Sequence, residues 1–127
     1  MDDFKIEHIT DDELINLWPL IQQIPLADML HSELLARCLL RQYTVKKGTL
    51  DEQTIGFGIY YISARVCTMV ALYAPKHVQR LASAFFTYFR GMGIERMRAY
   101  TVHDDKIMRN VLEAGFKKAY VMMEKEL

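Results

Sequence analysis

The chain has 127 residues, 51% of them apolar and 25% charged, with 16 Lys and Arg set against 16 Asp and Glu. That length predicts one domain over residues 1–127, and the balance is that of a soluble globular protein. Zero net charge excludes a generally basic nucleic-acid or membrane-surface binder, and no apolar run is long enough for a membrane helix.

Cys38 and Cys67 show no CxxC or Cys-His spacing, so neither a metal site nor a disulfide framework is signalled. They read as reduced, buried thiols of a cytoplasmic protein. Met1-Asp2-Asp3-Phe4-Lys5 lacks the basic start and apolar core of a secretion signal.

Phe4 to Ile9 alternates apolar and polar residues, the pattern of a half-buried strand. Thr10-Asp11-Asp12-Glu13 then reads as a capping box, with Leu14, Leu17, Trp18 and Ile21 on one helical face. Pro19 interrupts that helix and Pro25 stops it. A second helix is predicted from Ala27 to about Leu40, its stripe being Leu30, Leu34, Leu35 and Cys38. Gln42 to Val45 reads as a short strand turning at Lys46-Lys47-Gly48, and the polar stretch from Lys46 to Gln53 reads as a loop.

Thr54 to Ile62 and Val66 to Tyr73 are predicted strands. Only Ser63-Ala64-Arg65 lies between them, so they should be antiparallel neighbours. Gly56 and Gly58 mark either a bulge or tight packing spot, or a ligand contact. After Pro75 a long helix begins near Lys76 or His77, its stripe of Leu81, Phe85, Tyr88, Phe89 and Met92 suited to lying on a sheet. Gly91-Met92-Gly93 ends it.

The last thirty residues read strand, helix, strand. Arg98 to Val102 is the first strand, and Asp104 and Asp105 cap a helix carrying Ile107, Met108, Val111 and Leu112. Gly115 closes that helix before Phe116, and Ala119 to Met123 is the final strand.

This module of helix, Gly-Phe and terminal strand resembles the C-terminal end of the GNAT superfamily of acyl-CoA N-acyltransferases. The order β-α-α-β-β-β-α-β-α-β matches that superfamily over nearly the whole chain. The resemblance implies an α+β fold, with a mixed, mostly antiparallel sheet carrying helices on both faces. It also implies that acetyl-CoA is the cofactor and that the partners are an acyl-CoA and an amine acceptor, on a small molecule or a protein.

Within the resemblance, Leu72, Tyr73 and Ala74 stand where the family's strand offers backbone groups to the pantetheine and thioester. The pyrophosphate loop matches Gln79-Arg80-Leu81-Ala82-Ser83-Ala84, with Ala82 at the first glycine's place and Ala84 at the second's. Counted from Pro75, Val78 takes the Arg or Gln place instead. Helix starts bind phosphates through their first-turn amides, and Lys76, His77, Gln79 and Arg80 add polar and cationic groups there.

Departures from the family fall on its acid and its asparagine. Val111 stands at the acid tyrosine's place and Asp104 at the asparagine's. His103 is the neighbouring group able to exchange a proton near neutrality, and Tyr73 and Tyr100 can orient a substrate or water. Catalytic candidates are therefore His103, Asp104 and Tyr73. Two readings follow: an N-acyltransferase with an atypical loop, or a protein of the same fold that has lost the reaction and serves as a binding or structural part, similar to GNAT-like proteins of tailed phages.

Overall fold

The computed structural model describes residues 4–24, 26, 29–99 and 125–126. Their elements run β1 (Phe4–His8), α1 (Asp11–Asn16), α2 (Trp18–Ile21), α3 (His31–Leu39), β2 (Thr44–Leu50), β3 (Gln53–Ser63), β4 (Val66–Tyr73), α4 (Val78–Gly91) and β5 (Arg96–Ala99). The strands form one sheet in the order β1-β2-β3-β4-β5. Three junctions are antiparallel and the last, β4 with β5, is parallel. The mixed, mostly antiparallel sheet of the sequence reading is present. The predicted final helix and strand lie outside the described residues.

Each face of the sheet has its own core, because alternate residues of a strand point to opposite sides. On one face Leu14, Ile21, Leu34 and Cys38 of α1 to α3 pack with Val45, Phe57, Ile59 and Ala71. On the other, Leu81, Phe85 and Phe89 of α4 pack with Tyr60, Cys67 and Met69. Tyr60 sits edge-on to Phe89, with ring centroids 4.7 Å apart. Burial pushes the Tyr60 hydroxyl above its ordinary range.

Local chemistry sets the boundaries. Thr10 Oγ1 accepts from the Glu13 amide at 3.2 Å and Glu13 Oε1 accepts from the Thr10 amide at 3.3 Å, which completes the capping box. Pro19 falls in the first turn of α2, where its missing donor costs nothing, so the apolar stripe is split at Leu17. His31 starts α3 later than the periodicity predicts and leaves Leu30 73% exposed. His31 Nε2 donates to the Ile24 carbonyl at 2.7 Å and ties the preceding connection to the helix start. α4 closes with Gly93 at φ 83. The Gly93 amide donates to the Arg90 carbonyl and the Ile94 amide to the Phe89 carbonyl, both at 3.1 Å, a Schellman close.

The stretch from Lys46 to Gln53 corrects the loop reading. β2 continues through Lys46-Lys47-Gly48 to Leu50, and the turn is only Asp51-Glu52. Tertiary partners hold these polar residues in the sheet. The Lys47 ammonium lies 2.7 Å from Glu13 Oε2 on α1, which holds the Glu13 carboxyl below its usual range. Gly48 leaves its place to the Leu81 side chain of α4. Strand β5 likewise begins at Arg96, two residues before the predicted start.

Candidate functional site

Strand β4 carries a bulge. Ile59 faces Ala71 while Tyr60 faces Met69, so Val70 is the extra residue. The packing shows its effect: Cys67 and Met69 face α4, Val70 and Ala71 both face α1 to α3, and Leu72 and Ala74 return to the α4 side. A bulge bends its strand and sharpens the twist. The described ladder with β5 runs from Val66 opposite Arg96 to Met69 opposite Ala99. The bulge falls one residue beyond the last described pair.

The chain leaves that bent end directly into α4. Ala74 is buried and its carbonyl accepts from the His77 amide at 3.2 Å, which makes the Ala74-Pro75-Lys76-His77 connection a single tight turn. Nothing on the His77 side chain caps the helix. The first helical bond runs from the Leu81 amide to the His77 carbonyl at 2.9 Å, so the amides of Val78, Gln79 and Arg80 form the first turn and point along the axis out of its N-terminus. That first turn contains no Asp or Glu. With Lys76 and His77 beside it, the helix start is electropositive by dipole and by side chain.

Of the residues singled out in the sequence, Leu72 is half-buried opposite Gly58. Tyr73 is half-buried and stacks on Phe57, with centroids 5.4 Å apart and planes 28° from parallel. Ala74 is buried where β4 ends. Val78 and Gln79 are half-buried in the first turn of α4. Arg80 shares that turn, but its guanidinium lies over the Phe4 ring of β1, 5.7 Å from the centroid. Ala82 and Ala84 stand in the second turn, where amides are committed to the helix's own bonds. His103, Asp104 and Tyr100 lie outside the described residues. The structure thus joins Leu72 to Ala74 with the helix start through one turn, and it sets Ala82 and Ala84 further along α4. The bulge at Val70 escapes sequence reading because Val66 to Tyr73 is apolar but for Thr68 and so carries no alternation to break.

Neither cysteine offers a nucleophile. Burial pushes the Cys38 and Cys67 thiols up to about 12, far from the thiolate an acyl-enzyme would need. Among the described residues no helix is long and apolar enough to cross a membrane.

No protein-family model matches the chain, and no curated protein matches it in sequence. Solved structures do match it in shape. YycN of Bacillus subtilis, a candidate acetyltransferase, aligns over 98% of each chain with TM-score 0.72 at 13% identity. The PaiA N-acetyltransferase of Thermoplasma acidophilum, in complex with coenzyme A, aligns over 91% of this chain and 90% of its own with TM-score 0.67 at 16% identity. The aminoglycoside N-acetyltransferase AAC(6')-Iy, in complex with CoA, covers 99% of this chain and 96% of its own, again with TM-score 0.67 and 16% identity. With the described strands forming a five-stranded sheet, antiparallel but for β4 and β5, a bulge in β4 and helices on both faces, the chain has the GNAT N-acyltransferase fold.

Proposed function

We propose that the chain binds an acyl-CoA, in the first instance acetyl-CoA, and transfers the acyl group to an amine of a small molecule or a protein. One observation carries this reading: the bend of β4 at Val70 leads through a single turn into an acid-free helix start flanked by Lys76 and His77. The CoA complexes of two neighbours of the same fold support it.

Bound acyl-CoA supplies a thioester carbonyl activated toward amines. The chain's own part begins with binding. Backbone groups of Leu72 to Ala74 hold the pantetheine arm, and the amides of Val78, Gln79 and Arg80, with the Lys76 ammonium, meet the pyrophosphate. Tyr73, its ring fixed on Phe57, orients the acceptor or a water with its hydroxyl. His103, with Asp104 beside it, takes the proton that the acceptor nitrogen loses as the new amide bond forms. The departing sulfur regains a proton from water, since valine stands at residue 111.

Titration of acetyl-CoA and CoA into the purified chain, followed by calorimetry and thermal shift, tests the reading. Micromolar binding is expected, with stabilisation rising as the logarithm of ligand concentration. Lys76→Ala should weaken it roughly tenfold, the size of one lost charge-assisted contact. Arg80→Ala should do less, because that guanidinium is engaged on Phe4. No binding at millimolar CoA overturns the reading.

A further inference from the structure

We propose, resting on the acyl-transfer reading given above, that the amine acceptor carries a carboxylate, as an amino acid does, and that Arg98 of β5 selects it. Met97 packs with the α4-side cluster, so Arg96 and Arg98, which flank it on the strand, belong to the face of α1 to α3. Both arginines are exposed.

The bulge in β4 gives Arg98 and Tyr73 a common face. Thr68 stands opposite Arg98 in the parallel ladder and opposite Tyr61 in the antiparallel one. Strict alternation from Thr68 would carry Tyr73 to the α4 side, with Cys67 and Met69. The extra residue at Val70 reverses the phase, and Tyr73 packs with Val70 and Ala71 against the cluster of α1 to α3. Arg98 stands before the bulge and Tyr73 after it, so an acceptor lying over Val70 and Ala71 meets a cation at one end and a phenol at the other.

Charge singles out an anion for the Arg98 end. Arg96 and Arg98 are two residues apart on one strand face, about 7 Å along the backbone. Neither forms an ion pair among the described residues. Glu95, the carboxylate beside them in sequence, is held by Arg65 at 3.1 Å. The Arg65 carbonyl accepts from the Glu95 amide at 2.9 Å and the Arg96 amide at 3.4 Å, which pins the start of β5. A bound anion relieves the like charges, and a guanidinium meets a carboxylate through two parallel hydrogen bonds. The same two arginines repel a polyamine, so they discriminate by repulsion as well as by contact.

Calorimetric binding of acetyl-CoA to the full chain comes first, because it tests acyl transfer apart from the acceptor. Amino acids and their carboxamides are then compared in matched pairs on the wild-type chain, which needs no variant to fold. Release of free CoA from acetyl-CoA reads turnover, and saturation-transfer NMR in the presence of CoA reads binding. The acid should be preferred to its amide roughly tenfold or more, with spermidine the poorest acceptor. Arg98→Ala should raise the acceptor KM roughly ten- to a hundredfold, the loss of one charge-assisted contact, and should abolish the preference for the acid. Its acetyl-CoA affinity should stay unchanged. Arg98→Lys should recover only part of the loss, because it keeps the charge without the planar fork. Acetyl-CoA binding with no preference for the acid, a preference for spermidine, or an Arg98→Ala loss that falls on acetyl-CoA overturns the acceptor assignment and leaves acyl transfer standing. A chain that does not bind acetyl-CoA overturns both.

Discussion

Two glycines decide how closely α4 lies on the sheet, and a third how closely the end of β4 lies on β3. A Cβ on Gly48 would overlap Leu81, and one on Gly58 would stand 2.7 Å from Phe85 Cζ, so each collides with a side chain. Gly56 is different. Its Cβ would overlap the Tyr73 carbonyl oxygen and stand 2.8 Å from Ala74 Cβ and 3.0 Å from Ala74 Cα. Side chains can swing aside, but here the backbone of β4 must move. Gly56→Ala should cost about 1–3 kcal/mol in urea unfolding, the usual penalty of overpacking. It should also weaken acetyl-CoA binding more than Gly58→Ala does at a matched loss of stability, because it displaces the turn into α4. Gly91, with nothing within 4 Å of a built Cβ, should accept alanine and gain about 0.5–1 kcal/mol from helix propensity.

At the scale of elements, the turn between β2 and β3 carries stored strain. Asp51 and Glu52 both adopt positive φ, 50° and 69°, in a two-residue hairpin closed by Leu50 and Gln53. Those are the conformations of a type I′ turn, which favours Asp-Gly over Asp-Glu. Glu52→Gly should raise stability by about 0.5–1 kcal/mol, read as a higher urea midpoint with an unchanged slope. The hairpin also shows where sequence reading stops. β3 and β4 are legible because long apolar runs flank a turn too short for anything but antiparallel pairing. The second half of β2 is not, because Lys46-Lys47-Gly48 owes its strand conformation to Glu13 and Leu81, far away in the chain. The site follows the same rule. Aromatic spacing predicts α4, but which amides stand at its N-terminus depends on where the helix begins, and His77 begins it without a side-chain cap to announce the boundary.

Across the whole molecule, sheet order follows chain order, and the four junctions differ in the length of chain that must be closed. β2, β3 and β4 form a meander joined by two-residue turns. β1 reaches β2 only after the excursion through α1 to α3, and β5 reaches β4 only after the α4 crossover. Closing a longer loop costs more entropy. β3, with a strand on either side and buried residues from Gly56 to Tyr60, should open only with the whole domain. Amide hydrogen exchange should therefore be slowest along β3. In the dilute chain, β1 should exchange through a smaller, earlier opening that leaves the meander intact; uniform protection across the five strands would contradict this. The protein would then have an order of disassembly in which the β1 edge comes loose first and the meander last.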